Sequence, residues 1–136
     1  MDANVALEFV RNNHHAVLAT HRRGGDVQQS PVLAVADSER RVLISTRETA
    51  MKVRNLRRRP RASICVFSPK FFGEWVQITG AVEIVSLPEA MDLLIEYYRL
   101  ASGEHEDWEE YAAAMEAERR CALVLHPEEV GPRVRG

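Results

Sequence analysis

The chain lacks the features that would place it in several large classes of protein. It has only two cysteines, Cys65 and Cys121, each inside an alternating apolar run, which favours buried thiols over a disulfide or a zinc site. No apolar stretch approaches the roughly 18 residues needed to span a bilayer, and the first residues lack the basic-then-apolar pattern of a secretory signal. We therefore predict a cytoplasmic protein.

Several catalytic and nucleotide-binding motifs are also missing. The sequence has no G-x-G-x-x-G or G-x-x-x-x-G-K-[ST] loop, so neither a Rossmann dinucleotide site nor a P-loop is supported. It has no G-x-S-x-G nucleophile elbow, and none of its five histidines has a convincing partner for acid–base or metal chemistry. The residues by themselves therefore nominate no catalytic side chain and no metal site.

The composition that is present is that of an ordinary globular protein. With 46% hydrophobic and 28% charged residues in a chain of 136, we expect one domain covering residues 1–136. The net charge of −2 is unevenly distributed, because residues 47–61 hold seven cations against one acid and residues 83–118 hold eleven acids against one cation. The two blocks could pair with each other, or the basic block could bind an anion.

Hydrophobic periodicity and turn residues predict an α+β fold. Paired glycines at 24–25 indicate a hairpin, and Thr49 is a candidate N-cap. Ser86 with Glu89 has the spacing of a capping box, which Asp107 with Glu110 repeats, and Gly103 is expected to end the helix between them. The predicted helices cover residues 3–13, 49–58, 86–101 and 107–118, and the predicted strands cover residues 16–22, 27–36, 41–46, 62–67, 75–85 and 120–126. Because helices and strands do not alternate, we expect antiparallel strands in a small barrel with flanking helices.

The strongest polar constellation lies where the third predicted strand meets the next helix. Ser45, Thr46 and Arg47 end the strand, and the helix from Thr49 carries Lys52 in its first turn. Hydroxyls, a lysine and the unpaired N–H groups of a helix start together suit a phosphate. A capped basic helix after a strand is common, however, so the pattern alone favours a structural interpretation.

Aromatic residues give a weaker signal. The adjacent Phe71 and Phe72 fall in a predicted loop, which suggests coverage by a partner chain or a ligand. Trp75 and Gln77 begin the following strand and could line a pocket, although core packing is the commoner role for such residues.

Longer strings carry a resemblance to a known group of proteins. Four strings resemble the flavin and deazaflavin oxidoreductases of the pyridoxamine 5'-phosphate oxidase-like, split β-barrel superfamily. These strings are HRRGGDVQQSPV, LISTRETAMKVRNLRRRPRASICVF, WVQITGAVEIV and YYRLASGEHEDWEEYAAAMEAERRCALVL. The strings K-x-R-N-L-R-x-x-P-R-A-S and G-E-H-x-D-W are most similar to the small actinobacterial branch that uses the deazaflavin coenzyme F420. The resemblance implies an FMN-binding-like, antiparallel six-stranded Greek-key barrel, and a homodimer with cofactor sites at its interface.

The resemblance also implies which residues hold the cofactor. Those expected at its phosphate and ribityl region are Ser45, Thr46, Lys52 and Asn55. Those expected near its ring system are Gln29, Ser30, Pro31 and Val32, and the remainder of the pocket is assigned to Trp75, Val76, Gln77 and Arg120. Similar proteins carry an arginine where this chain has Ala50, so Arg47 or Arg54 is expected to supply that charge.

We therefore expect an F420-dependent oxidoreductase that transfers hydride between reduced F420, an 8-hydroxy-5-deazaflavin, and a small unsaturated or quinone-like molecule. The cofactor performs the chemistry, so no catalytic side chain is obligatory. The alternative is an FMN-binding oxidase or flavin-binding protein of the same fold. A nucleic-acid-binding module using residues 54–61 is a distant third, because the rest of the chain is acidic. The expected partners are a second copy and a small substrate, without nucleic acid or membrane.

Overall fold

One antiparallel sheet and four helices make up the fold. The computed structural model describes the backbone of residues 1–135 and the side chains of residues 1–132. The helices are α1 (Ala3–Asn12), α2 (Met51–Arg58), α3 (Met91–Ser102) and α4 (Trp108–Ala117). The strands are β1 (His15–His21), β2 (Val27–Leu33), β3 (Val35–Ala36), β4 (Val42–Arg47), β5 (Arg61–Phe67), β6 (Glu74–Ser86) and β7 (Arg120–Arg135). The predicted α+β split-barrel class is confirmed.

A single run of chain forms both edges of the sheet. The strand order is β2-β1-β5-β6-β7-β4-β3, so β2 and β3, which are consecutive in sequence, lie at opposite edges. The sequence predicted one strand over residues 27–36 within a simple meander. That prediction is wrong in one respect, because the run changes partner at Ala34, from β1 to β4. The predicted six strands are therefore seven, and the sheet curls into a half-barrel.

The interior of the curled sheet is the main hydrophobic core. Alternate residues of its strands point inward, and Leu18, Ile64, Ile78 and Leu123 are all at most 2% exposed. Burying each such side chain stabilises the fold by about 2 kcal/mol. Helix α1 adds its own apolar face to this core, as its predicted amphipathic pattern requires.

A second, smaller core lies beneath α3 and α4. It joins Leu94 of α3 to Tyr111 and Met115 of α4 and to Ala122 of β7. No helix of the described residues is long and apolar enough to cross a membrane.

Two predicted helix starts are wrong. The N-cap of α2 is Ala50, not Thr49, and no side chain caps this helix. Helix α3 begins at Met91, because Ser86 stays in β6 and its hydroxyl donates a 2.7 Å hydrogen bond to the Glu48 carboxylate. For Ser86, a tertiary hydrogen bond replaced the local cap.

The remaining helix signals are confirmed. The Asp107 carboxylate accepts hydrogen bonds of 3.1 Å from the backbone N–H groups of Glu109 and Glu110 and so caps α4. Gly103 ends α3 with a positive φ of 85°, a conformation that glycine adopts without a steric penalty.

Strand β7 is longer than predicted. The sequence ended it at residue 126 before a polar tail, whereas pairing with β6 continues to Arg135. The pairing is irregular near Thr79 and Gly80, where the two backbones come very close. A Cβ atom built on Gly80 would lie 1.9 Å from the carbonyl oxygen of His126, so only glycine fits there.

We expect Gly80→Ala to lower the free energy of unfolding by about 3 kcal/mol, the upper range for overpacking, because backbone atoms cannot rotate out of the clash. Equilibrium urea unfolding measures this. The control is Gly24→Ala, whose added Cβ would meet no atom within 4 Å. Equal free energies of unfolding for the two variants would contradict the steric requirement for glycine at position 80.

Candidate functional site

A cavity of about 660 Å³ lies where β2, the end of β4, the start of α2 and the α3–α4 pair meet. One wall is polar and carries Ser45, Thr46, Arg47, Lys52 and Arg120. A second wall, called the aromatic wall here, carries Tyr97, Tyr98, Tyr111 and Met115. Apolar groups complete the lining, namely Pro31, Val32, Leu33 and Ala50.

The polar wall follows from the junction of strand and helix. Strand β4 ends at Arg47, and α2 begins only four residues later, which places Lys52 in its first turn. Arg120 lies beside Arg47, because the two are register partners in the β4–β7 ladder. The first N–H groups of a helix have no partner within it, so α2 adds a partial positive charge to this wall.

Lys52 is the cation of this wall that has no carboxylate partner among the described residues. Its ammonium is absent from the ion pairs of that part of the chain, and burial lowers its pKa below the ordinary 10.5, with Arg120 lowering the pKa further. An anion that binds beside a partly buried, unpaired ammonium stabilises its charged form.

The two arginines of the wall are already paired. Arg47 donates one hydrogen bond of 3.1 Å to Oε1 of Glu118, and Arg120 donates two of 3.1 and 2.9 Å to the same oxygen. The hydrogen bond from Arg120 holds the pKa of Glu118 below its usual value, with Arg47 contributing. Of the two arginines predicted to replace the missing charge at Ala50, Arg47 lines the cavity and Arg54 does not.

The hydroxyls of the polar wall are available to a ligand. The side chains of Ser45 and Thr46 make no hydrogen bond within the portion of the chain whose side chains are described, and neither oxygen is sealed from solvent. With Lys52 they give the cavity lining three donor groups of the kind that suits the oxygens of a phosphate.

The sequence did not predict the aromatic wall. Tyr97 donates a 3.0 Å hydrogen bond to the Leu33 carbonyl oxygen, and Tyr111 donates one of 2.8 Å to that of Leu94. Burial raises the pKa of Tyr111 to about 12. No sequence signal distinguished these tyrosines from core residues, because adjacent positions of a helix can share its apolar face.

Half of the predicted site residues meet at this cavity. These are Pro31, Val32, Ser45, Thr46, Lys52 and Arg120. Gln29 and Ser30 lie farther along β2, outside the lining. Trp75 and Gln77 lie on the outer face of the sheet, opposite Phe67 and Cys65 of β5, and Val76 is buried in the barrel core. Within one chain, the β6 residues therefore do not reach the cavity.

Asn55 links α2 to strands β1 and β2. It is buried, and its Nδ2 donates hydrogen bonds of 3.1 Å to Thr20 Oγ1 and to Gln28 Oε1. Its Oδ1 accepts a 3.1 Å hydrogen bond from Arg58. A contact between this amide and a cofactor would require an exchange of these partners, so the structure supports a structural role in tying α2 to β1 and β2.

The predicted absence of a metal site stays a prediction. Over the described residues, no group of three or more His, Cys, Asp or Glu side chains is placed to hold a metal ion. His105, the histidine in the E-H-E-D segment, instead packs among aromatic rings, with its ring centroid 4.9 Å from that of Tyr98.

Comparison with known proteins decides the family. Residues 4–133 match the protein family described as pyridoxamine 5'-phosphate oxidase. The chain belongs to this family. That membership agrees with the split barrel seen here and with the resemblance drawn from the sequence strings.

Solved structures with the same fold differ in what their names describe. A conserved hypothetical protein from Mycobacterium tuberculosis aligns with a TM-score of 0.77 at 21% identity, covering 96% of this chain and 82% of its own. An F420 reductase aligns with a TM-score of 0.71 at 19% identity, covering 91% of this chain and 94% of its own. A pyridoxamine 5'-phosphate oxidase-related, FMN-binding protein from Nostoc punctiforme aligns with a TM-score of 0.65 at 18% identity, covering 93% and 78%. At these identities the likeness is one of fold.

The ammonium of Lys52 is expected to lose its proton below pH 10.5, because burial disfavours its charged form, and bound sulfate is expected to raise that pKa. Side-chain NMR titration of Lys70→Arg, in which Lys52 is the sole lysine, measures both effects. The Cys121 thiol, whose pKa burial raises to about 11, stays neutral through most of this range. A pKa at or above 10.5, or one that does not respond to sulfate, would contradict the anion site.

Proposed function

We propose that the protein is an F420-dependent oxidoreductase, in which the cavity holds the deazaflavin beside a small unsaturated substrate. The observation that carries this proposal is a cavity lined both by the unpaired Lys52 ammonium, with Ser45 and Thr46, and by an aromatic wall. A flavin-type cofactor has the matching parts, namely a phosphate and a large planar ring.

The residues present fit such a group by the chemistry of their donors. Lys52, Ser45, Thr46 and the start of α2 would hold the phosphate by charge-assisted hydrogen bonds. When bound, a deazaflavin supplies two-electron hydride chemistry and reacts poorly with oxygen, whereas FMN also supports one-electron and oxygen chemistry.

The other lining residues exclude water and fix the ring. Pro31 and Val32 offer an apolar strand surface, and Met115 of α4 contributes a polarisable side chain. Glu118 holds Arg47 and Arg120 in place, so neither guanidinium has to be ordered when a ligand arrives.

We infer a homodimer from the outer face of the sheet. Val17 lies opposite Pro31 on one side and Cys65 on the other, and Cys65 lies opposite Gln77, so these residues form one row across four strands. The row is mostly apolar and half-exposed, and Pro31 belongs both to it and to the cavity lining. A second copy on this face would bring its own Trp75 and Gln77 close to the cavity.

The exposed Phe71 and Phe72 agree with this arrangement. They are 88% and 74% exposed at the tip of the β5–β6 hairpin, which is large for phenylalanine. Their rings pack edge-on with centroids 5.0 Å apart and form a small apolar knob. Its coverage by the second copy would remove that surface from water.

Coenzyme titration tests the proposed cofactor. We expect F420 to bind more tightly than FMN, and Lys52→Ala to weaken F420 binding by more than tenfold, because a charge-assisted hydrogen bond contributes roughly 1.5–3 kcal/mol. The control is Lys70→Ala, which removes the chain's other lysine, an exposed one in the β5–β6 loop. Cofactor fluorescence gives both dissociation constants.

The outcomes separate the candidate functions. Tighter, Lys52-dependent binding of FMN would favour an FMN-dependent oxidase or flavin-binding protein. Binding of neither cofactor, or equal losses in the two lysine variants, would refute the proposed site.

The dimer is tested by a charge on the outer face. We expect the wild type to sediment as a dimer of 15.4 kDa chains, and Cys65→Arg to sediment as a monomer with weakened F420 binding, because the arginine would be buried unpaired in the interface. Ala113→Arg, on the exposed side of α4, is the matched control. Circular dichroism confirms that both variants fold. A monomeric wild type or a dimeric Cys65→Arg variant would rule out this interface.

A further inference from the structure

All three tyrosines of the chain line the cavity, yet their hydroxyls are not equivalent. Tyr97 and Tyr111 each donate to a backbone carbonyl, at 3.0 and 2.8 Å. The Tyr98 hydroxyl has no hydrogen-bond partner within residues 1–132, and it is not among the buried atoms left unpaired there. It is therefore an accessible donor on an otherwise satisfied aromatic wall.

The ring that carries this hydroxyl is held in place by its neighbours. Tyr98 packs edge-on against Tyr111 and Trp108, with ring centroids 5.1 and 5.7 Å apart, and lies 4.9 Å from the ring of His105. The Trp108 indole is itself fixed, because its Nε1 donates a 3.2 Å hydrogen bond to Glu104. A donor on such a ring keeps its position without a ligand, which is the condition for selective recognition.

The donor is neutral, whereas the cations of the lining, Lys52 and the paired Arg47 and Arg120, all belong to the polar wall. A phenol next to aromatic surface suits a planar molecule whose oxygen is uncharged, such as a ketone, rather than a carboxylate or phosphate.

We propose that Tyr98 is a specificity-determining residue that donates a hydrogen bond to the carbonyl oxygen of a planar, conjugated ketone substrate. This inference rests on the proposed function, which makes the second molecule a hydride acceptor. Hydride addition to the far carbon of a C=C–C=O system moves the π electron pair onto the carbonyl oxygen, and water supplies the balancing proton at the adjacent carbon. The Tyr98 hydroxyl meets the oxygen on which that negative charge develops.

The test compares two probes of nearly equal shape, 1-tetralone and tetralin, which differ by the carbonyl oxygen. Ligand-observed NMR measures the dissociation constant of each probe with the wild type and with Tyr98→Phe, in the presence and absence of F420. We expect Tyr98→Phe to weaken tetralone binding about two- to tenfold, the range for one neutral hydrogen bond, and to leave tetralin binding unchanged. Tetralin is the internal control, because its binding reports the shape of the cavity without the carbonyl contact.

Each outcome bears on the inference. An unchanged tetralone affinity in Tyr98→Phe, equal losses for both probes, or failure of the wild type to bind tetralone would overturn it. If tetralone is discriminated from tetralin through Tyr98 but F420 does not bind, the proposed cofactor is rejected and the ketone site is kept. The reverse result, Lys52-dependent F420 binding without discrimination, would keep the cofactor and reject the role of Tyr98.

Discussion

The crossing of the chain from one edge of the sheet to the other at Ala34 is the constraint on which the cavity depends. The peptide between Leu33 and Ala34 is held from two sides, since its N–H donates a 2.8 Å hydrogen bond to the His14 carbonyl and its oxygen accepts one from Tyr97. The crossing brings the end of β2 to the end of β4, so Pro31–Leu33 faces Ser45–Arg47. Without it the sheet would stay open, and the polar wall would have no opposite side.

Charge pairing then decides which cation is left for a ligand. The basic and acidic blocks of the sequence meet in the pair Arg47–Glu118. Glu118 also binds Arg120, and Glu48 accepts a hydrogen bond from Arg57 within the basic block. Surface pairs of this kind contribute little to stability, but they neutralise the arginines of the cavity lining. Among the described residues, Lys52, whose pKa burial lowers, is therefore the unpaired cation of that lining.

Much of the fold followed from the sequence because periodicity and turn chemistry are local. The helix at 3–13, the paired glycines at 24–25 and the Asp107 cap all act within a few residues, and the structure confirms them. The crossing at Ala34, the loss of the Ser86 cap to Glu48 and the extension of β7 are set by pairing between distant segments, and no short window contains that information. Gly80 belongs with these, since its partner at His126 is 46 residues away in sequence.

The site was predictable to the extent that its residues share one strand–helix junction. Ser45, Thr46 and Lys52 are sequence neighbours and line the same cavity, whereas the aromatic wall comes from helices about 50 residues downstream and was not predicted. The hydrogen bond from Tyr97 attaches that wall to the same peptide at which the barrel closes. The cavity therefore cannot widen by swinging α3 outward unless the barrel itself loosens. A chamber built this way has a fixed shape, so a change of substrate preference in evolution would come from replacing side chains of the wall, with the helices staying where they are.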